Sequence, residues 1–421
     1  MISVAARNTT YLWAIGALAA TYLILLRFPI DLVWPVAVFL TLAGFVFLAP
    51  RSWRLPSAIV AGMVIRIAAF QSLNGQPLDD PGAYLTLAQN ILSGRGMTID
   101  NETYGTLKAA YPPAYPVLLA GAQLNWLALN CSLDLVATWA IFRLTNNPSA
   151  ASLYFLFPGT IMTSIVPSKE TLAVALVVLL PLCRNPYLSG TVAGFLILAQ
   201  PAWAPLPILF FALTMRKGWW KALSSMLVVL SAWWIRNYLL FGQFLPLTSS
   251  AGLSIAVAVE GRHIPTLSLS GDEVARASVV ASAAINQILA DPLHYLGNVA
   301  RMLVRSFLVD DDPAEYLDWA KVRWLGAAAL VGQLAWTALI ASTARTAERI
   351  PDWLLALIIA GVVTCLTGMW FEFSSRHRAF VVPLLILISM RRGSPSPSTF
   401  PETLRLRMPI QWARRQSADR I

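Results

Sequence analysis

The chain has 421 residues, of which 57% are hydrophobic and 12% are charged, and its mean hydropathy is +0.62. A soluble globular protein carries about 25% charged residues, so this composition excludes a large soluble enzyme as well as a disordered chain. It indicates a polytopic membrane protein. On such a protein a net charge of +10 points to the orientation of membrane loops before it points to nucleic-acid binding.

The three cysteines, Cys131, Cys183 and Cys365, lie in or beside apolar stretches. No two of them are close in sequence, and no Cys/His spacing is typical of a metal site, so we expect buried free thiols. The apolar run near the N-terminus is long and lacks a small-residue cleavage site followed by a soluble domain. It is therefore expected to remain as a membrane anchor.

A bilayer core about 30 Å thick requires about 20 apolar helical residues. The sequence predicts an all-α polytopic protein with about twelve crossings, near 11–29, 33–49, 56–73, 112–144, 149–166, 170–184, 187–200, 201–215, 219–240, 322–342, 353–371 and 377–390. The stretch 112–144 is either one crossing or a re-entrant or interfacial piece followed by a span. Residues 1–54 hold two N-terminal helices, 55–390 the core, and 391–421 a basic tail that we expect to be disordered.

The distribution of basic residues predicts the orientation of the chain. With both termini in the cytoplasm, every inner loop carries at least one arginine or lysine, as the positive-inside rule requires. These residues are Arg51, Arg54, Arg143, Arg184, Arg216, Lys217, Lys221, Arg345, Arg349, Arg391 and Arg392. The outer side then receives the loops 74–111, 167–170, 241–320 and 371–378.

The first predicted outer loop begins with two adjacent carboxylates, Asp79 and Asp80, directly before Pro81. Residues 82–92 have the apolar spacing of an amphipathic helix, which we expect to lie on the outer membrane surface. The apolar positions of its face are Tyr84, Leu87, Ala88 and Ile91. The carboxylates are then either helix caps or, beside the bilayer, a general base.

The same loop ends in the run Tyr111, Pro112, Pro113, Ala114, Tyr115 and Pro116. Three prolines among five residues stiffen the chain and oppose a regular helix. The run is either a rigid junction between loop and helix, or a fixed wall whose aromatic rings stack on a sugar or an isoprenoid.

Two further predicted outer sites carry charge at the membrane face. Lys169 and Glu170 form a corner between apolar runs, where they either anchor a helix or act on a substrate. Arg236 lies inside an apolar helix near its outer end. Its guanidinium suits bidentate phosphate binding, or it extends to the phosphates of lipid headgroups.

A fourth group stands at the outer mouth of the last predicted span and comprises Glu372, Arg376, His377 and Arg378. Two arginines on that side run against the positive-inside rule, and they require a carboxylate partner or an anionic ligand. Arg66, in the middle of the third span, is similarly in need of a partner such as Asp134.

The acidic run Asp310, Asp311 and Asp312 resembles a metal-binding segment, although a run of this kind before a proline is more often a solvated loop. The region 272–308 that precedes it is expected to be helical and partly amphipathic. No metal or cofactor is otherwise indicated, although a divalent metal is possible.

Taken in order, these elements resemble the GT-C superfamily of membrane glycosyltransferases, and most of all its family 39-type branch, which includes protein O-mannosyltransferases and lipid A aminoarabinose transferases. The resemblance covers about residues 55–390. Its residues are Arg66, Asp79, Asp80, Tyr84, Ala88, Gly94, Arg95, Gly96, Tyr111, Pro112, Pro113, Tyr115, the corner 167–170, Trp234, Ile235, Arg236, Asn237, Tyr238, Gly242, Arg376, His377, Arg378 and Pro383.

The resemblance implies transfer of a sugar from a polyprenyl-phosphate donor to a lipid, glycan or protein acceptor, on the outer face of a bacterial inner membrane. It implies that Asp80, four residues before the aromatic Tyr84, is the catalytic base, with Asp79 beside it and Glu170 assisting. The residues expected to bind substrate are Tyr84, Tyr111, Lys169, Arg236, Arg376, His377 and Arg378. The chain has Tyr111 where some relatives have lysine before the two prolines, and the acceptor stays open. The partners implied are these substrates and membrane lipids, with no nucleic acid.

Two other functions stay open from the residues alone. A transporter or flippase for a lipid-linked or anionic solute would place its charges near the bilayer midplane and often shows internal repeats. A membrane scaffold would use the aspartates only as helix caps. Most of the candidate charges here lie at one predicted face, which favours the enzyme.

Overall fold

The computed structural model describes residues 41, 43–44, 46–73, 77, 79–215, 218–260, 266, 269–307, 324–343, 350–368 and 379–390. The predicted span 11–29 and most of 33–49 lie outside these residues, as does the basic tail. In the described part the chain is predominantly helical and includes one small antiparallel hairpin. The all-α class is thus confirmed in outline, while the hairpin is an addition that the sequence analysis did not predict.

The first half of the described chain contains seven α-helices and the two strands of the hairpin. They are α1 (Arg51–Gln71), α2 (Asp79–Leu92), β1 (Ile99–Asn101), β2 (Gly105–Leu107), α3 (Ala114–Gly121), α4 (Trp126–Thr145), α5 (Pro148–Phe155), α6 (Pro158–Ser164) and α7 (Lys169–Leu179). A short 3₁₀ turn, Leu180–Leu182, follows α7.

The second half of the described chain is helical. Its helices are α8 (Pro186–Ala199), α9 (Pro205–Thr214), α10 (Trp219–Phe241), α11 (Ser250–Glu260), α12 (Glu273–Ala290), α13 (Pro292–Phe307), α14 (Trp324–Thr343), α15 (Asp352–Gly368) and α16 (Val381–Ser389). A 3₁₀ turn, Pro201–Trp203, lies between α8 and α9.

Among the described residues, three helices are long and apolar enough to cross a membrane, namely α1, α4 and α10. Most other predicted spans fold as helices at the expected places but are shorter, so twelve crossings are not confirmed. The 11 residues of α7 extend only about 16 Å. Prolines mark the starts of two of these helices. Pro158 and Pro186 each stand in the first turn, where the missing proline N–H costs no hydrogen bond within the helix.

The stretch 112–144 folds as a short helix, α3, followed by α4, which is long and apolar enough to cross a membrane. Helix α3 ends at Gly121, and Gln123 and Leu124 take left-handed backbone angles, with φ of 52° and 64°. Two such residues in succession stop a right-handed helix. Asn125 then begins α4 by accepting a hydrogen bond from the Ala128 N–H at 3.1 Å.

A continuous apolar core joins α2, α3, α4, α7, α8, α9, α15 and α16. Helix α8 packs along α10 at a close crossing, since a Cβ atom at Gly190 would overlap the carbonyl oxygen of Ala222. The helices α11, α12 and α13 share a separate small core that includes Ala256, Val280 and Tyr295.

The charge inside α1 is paired. Arg66 is fully buried and forms a salt bridge of 2.8 Å with Asp134 of α4. It also donates to Ser164 Oγ at 2.8 Å and to the Phe155 carbonyl oxygen at 2.9 Å. Hydrogen bonds thus reach all three guanidinium nitrogens, and the partner suggested for Arg66 by the sequence is confirmed.

Candidate functional site

The predicted amphipathic helix is α2, and it begins with the two carboxylates. Asp79 is exposed and takes a left-handed φ of 52°, whereas Asp80 is half-buried. Both lie in the first helical turn, where the positive end of the helix dipole favours negative charge. The predicted apolar face is buried at three positions, Tyr84, Leu87 and Ala88. This face packs against α3.

Three tyrosines meet beside this helix. The ring centroid of Tyr84 lies 5.6 Å from that of Tyr111 and 5.7 Å from that of Tyr115, and both pairs have edge-to-face geometry. Tyr115 donates a hydrogen bond to Asn130 Oδ1 at 3.0 Å. Edge-to-face aromatic pairs hold one another in fixed orientations, so the proline-rich junction is also an aromatic wall.

The corner predicted at 167–170 meets the same wall. Lys169 and Glu170 are the first two residues of α7 and are 8% and 4% exposed. The Lys169 Nζ atom lies 5.7 Å from the ring centroid of Tyr84, within the range of a cation–π contact. Lys169 is therefore buried in protein and does not extend outward to lipid headgroups.

The second residue of this corner is Glu170, and one of its two carboxylate oxygens is hydrogen-bonded. Ser168 Oγ donates to Glu170 Oε2 at 2.7 Å. The other oxygen, Oε1, is buried and has no hydrogen-bond partner within the part of the chain that the structure describes. A buried carboxylate oxygen without a donor is costly, so Oε1 is available to accept a hydrogen bond from a ligand.

The geometry of α2 connects these side chains with the carboxylates. Asp80 precedes Tyr84 by four residues, so both lie on one helix face, about 6 Å apart along the axis. The structure thus brings together Tyr84, Tyr111, Lys169 and the start of α2, and Glu170 directly follows Lys169 in α7.

Arg236 of α10 contacts the loop that follows α2. Its Nη1 atom donates to Asn237 Oδ1 at 2.9 Å, and its Nη2 atom donates to the Met97 carbonyl oxygen at 3.3 Å. The guanidinium also lies 4.6 Å above the Trp233 ring. Met97 lies in the loop that follows α2, five residues after Leu92. These contacts tie Arg236 to that loop.

The remaining predicted residues Arg376, His377 and Arg378 lie outside the described residues, as do Asp310, Asp311 and Asp312. Within the described ranges, no group of three or more His, Cys, Asp or Glu side chains is arranged to hold a metal ion.

One buried acid near the site was missed by the sequence analysis. Glu273, the first residue of α12, is 5% exposed. Its Oε1 atom accepts from the Ala109 N–H at 2.6 Å and from Ser249 Oγ at 2.9 Å, and its Oε2 atom accepts from the Lys108 N–H. In the sequence Glu273 resembles an ordinary acidic residue of a first helical turn. It directly follows Asp272, which caps α12.

The arrangement combines two carboxylates at a helix start, a buried ammonium and a wall of tyrosine rings. These groups can accept a proton, stabilise an anion and stack against a sugar ring or an apolar chain. Comparison with protein-family models, with curated proteins and with solved structures finds no match to this chain.

Proposed function

We propose that this chain is a membrane glycosyltransferase of the GT-C kind, which moves a sugar from a polyprenyl-phosphate donor to an acceptor hydroxyl. The proposal places the reaction at the outer face of a bacterial inner membrane, with both termini in the cytoplasm. One observation carries it above the rest. Asp80 lies in the first turn of a helix whose next turn contains Tyr84, and the buried ammonium of Lys169 lies on that ring.

Asp80 supplies the base in this proposal. Its carboxylate accepts the proton of the acceptor hydroxyl while the hydroxyl oxygen attacks the anomeric carbon. The bond between that carbon and the phosphate oxygen breaks, and polyprenyl phosphate leaves with the electron pair. A single displacement of this kind inverts the anomeric configuration. Glu170 orients the acceptor through its unengaged Oε1 atom.

The leaving group requires a cation, because it departs as a phosphate anion. Lys169 is the best-placed cation among the described residues, since it is buried beside Tyr84, where the low local dielectric strengthens its attraction for an anion. Arg376 and Arg378 are further candidates from the sequence. Arg236 donates to the Met97 carbonyl oxygen in the loop after α2, so in this proposal it supports that loop instead of the phosphate.

A transporter or flippase is the alternative. Its substrate path would need exposed or exchangeable charge within the membrane, as intramembrane charges in transporters provide. The buried charge in α1 is already hydrogen-bonded to protein at all three guanidinium nitrogens, which supports the enzyme over the transporter.

The test is sugar transfer by purified protein in lipid nanodiscs. A panel of short-chain polyprenyl-phosphate sugars is supplied, and release of the sugar and of polyprenyl phosphate is measured. We expect Asp80→Asn to lower the rate by roughly 10²–10⁴-fold, the usual contribution of a general base. Asp100→Asn, an exposed acid of the β1–β2 hairpin, is the matched control and retains the wild-type rate. Full transfer by Asp80→Asn at unchanged protein level would overturn the assignment.

Movement of the intact donor across a vesicle bilayer without sugar release would instead favour the flippase. In that assay the donor carries a fluorescent group whose accessibility to a membrane-impermeant quencher reports its leaflet.

A further inference from the structure

The loop between α2 and α3 is held in place by a distant part of the chain. We name residues 93–113 the proximal loop, and the described residues from 249 to 298 the distal segment. The carboxylate of Glu273, in the distal segment, accepts hydrogen bonds from the backbone N–H groups of Lys108 and Ala109 in the proximal loop. A single buried side chain thereby accepts hydrogen bonds from two backbone N–H groups that are more than 160 residues away in sequence.

Other contacts between the same two parts follow the length of the proximal loop. The Ser249 N–H donates to the Ala109 carbonyl oxygen at 3.1 Å, and the Thr266 N–H donates to the Thr103 carbonyl oxygen at 3.0 Å. Arg276 Nη2 donates to the Tyr104 carbonyl oxygen at 3.0 Å. The loop is therefore docked by main-chain groups, which impose its path independently of its side chains.

Glu273 stands at the centre of this docking. Hydrogen bonds from N–H groups to a carboxylate are about twice as strong as those between neutral groups. Ala109 is fully buried, so loss of the carboxylate would leave its N–H without an acceptor and without water. Glu273 thus accepts from both backbone N–H groups of this loop segment, and the Ser249 N–H donates to its Ala109 carbonyl oxygen.

The consequence reaches the candidate site through the chain itself. Tyr111 follows Ala109 by two residues, and its ring lies edge-to-face on Tyr84. The backbone from Ala109 to Tyr111 spans at most about 7 Å, so the path of the chain at Ala109 limits where the Tyr111 ring can lie. The position of the aromatic wall therefore depends on the distal segment.

We infer that Glu273 is a positioning residue, which fixes Tyr111 against Tyr84 by holding the proximal loop and so completes the donor site from the distal segment. The meaning for catalysis rests on the function proposed above. The docking of the proximal loop by Glu273 does not depend on that function. The experiments below test the docking and its effect on catalysis separately.

The docking is tested by hydrogen–deuterium exchange, resolved by mass spectrometry, on the protein in nanodiscs. Glu273→Ala is expected to speed exchange at Lys108 and Ala109 at least tenfold, and Glu273→Gln, which keeps one acceptor oxygen, less. Asp291→Ala is the matched control, because this exposed acid accepts from the His294 N–H in the same distal segment. It changes exchange at the start of α13 and leaves the proximal loop as in the wild type.

Unchanged exchange at Lys108 and Ala109 in Glu273→Ala would overturn the inference. Exchange in α12 and α13 shows whether the distal segment itself remains folded. If Glu273→Ala unfolds that segment, the milder Glu273→Gln carries the comparison, and wild-type exchange at both amides in that folded variant would equally overturn it.

The positioning role is tested by the kinetics of sugar transfer. Glu273→Ala is expected to raise the KM for the polyprenyl-phosphate donor about tenfold with a smaller change in kcat, because misplacement of a wall by about 1 Å weakens binding before it alters the base. Rapid exchange with an unaltered KM would refute the link to the donor site while the docking stands. Absence of transfer by the wild-type protein would refute the proposed function alone.

Discussion

Arg66 and Asp134 form a salt bridge of 2.8 Å in which the two side chains are 0% and 1% exposed. The pair joins α1 to α4, and Ser164 and Phe155 complete the hydrogen bonding of the guanidinium. A charge inside a span is a functional candidate by default. Here its complete pairing indicates that it holds two long helices together.

Breaking this pair from one side is expected to destabilise the protein strongly. Asp134→Leu leaves a buried guanidinium without its counter-charge, and the cost is about 3–5 kcal/mol for one-sided loss of a buried pair. The double variant Arg66→Met with Asp134→Leu removes both charges and should be more stable than Asp134→Leu alone. Thermal unfolding of the detergent-solubilised proteins measures this order. A double variant less stable than the single one would contradict it.

The close crossing of α8 and α10 predicts a second sensitive position. Gly190→Ala places a Cβ atom against the Ala222 carbonyl oxygen, so the helices must separate, at a cost of about 1–3 kcal/mol. Gly297→Ala is the control, since nothing lies within 4 Å of a Cβ atom there. The fraction of each variant that remains monodisperse after heating reports the difference. Equal heat resistance of the two variants would show that the crossing tolerates the methyl group.

Lys169, which lies on the Tyr84 ring, and Arg236, which contacts the loop after α2, should differ in their effect on donor binding. We expect Lys169→Met to raise the donor KM about tenfold or more, because it removes the buried ammonium beside Tyr84. Arg236→Met should leave the donor KM closer to that of the wild type and speed hydrogen exchange near Met97, whose carbonyl oxygen it contacts. Steady-state transfer assays and exchange measurements decide this. Equal increases of the donor KM in Lys169→Met and Arg236→Met would show that Arg236 also binds the donor.

The distal segment should lose stability in strong base. Burial raises the pKa of the Tyr295 phenol above its usual value of 10.0, so the unfolded form releases this proton at a lower pH than the folded form. The stabilising contribution is complete below pH 10 and declines as the pH rises through the raised pKa of the folded protein. Exchange rates in α12 and α13 should therefore rise above pH 10 more steeply in the wild type than in Tyr295→Phe. Identical pH profiles would contradict this assignment.

Local patterns in the sequence predicted the parts of the site that depend on one helix. The 3.6-residue spacing of Tyr84, Leu87 and Ala88 identified α2 and its buried face, because helix periodicity is a property of neighbouring residues. The sequence also indicated Lys169 as a candidate, and the structure places its ammonium on the Tyr84 ring.

Features that depend on distant or unusual backbone escaped prediction. Gln123 and Leu124 adopt left-handed backbone angles although neither is glycine or asparagine. The residue types therefore did not predict that α3 ends there. The hairpin strands have three residues each, too few for an alternating pattern. Glu273 resembled a helix-start acid, because its partners are backbone amides and these carry no sequence signature.

The sequence predicts about twelve spans, whereas three of the described helices are long and apolar enough to cross a membrane. Hydropathy identifies apolar stretches but does not report their helical length, and a proline such as Pro158 divides the predicted span 149–166 into two helices. Helices as short as α7 are buried among other helices instead of facing lipid along their whole length.

The hydrogen bonds of Glu273 also set an order for biogenesis. The carboxylate lies 165 residues beyond Lys108, so a ribosome that has released the proximal loop must still synthesise α3 to α11 before the acid emerges. Until then the amides of Lys108 and Ala109 lack this acceptor. The aromatic wall is therefore assembled late, and a nascent chain that stops before residue 273 has the helix of the aspartates but not the finished site.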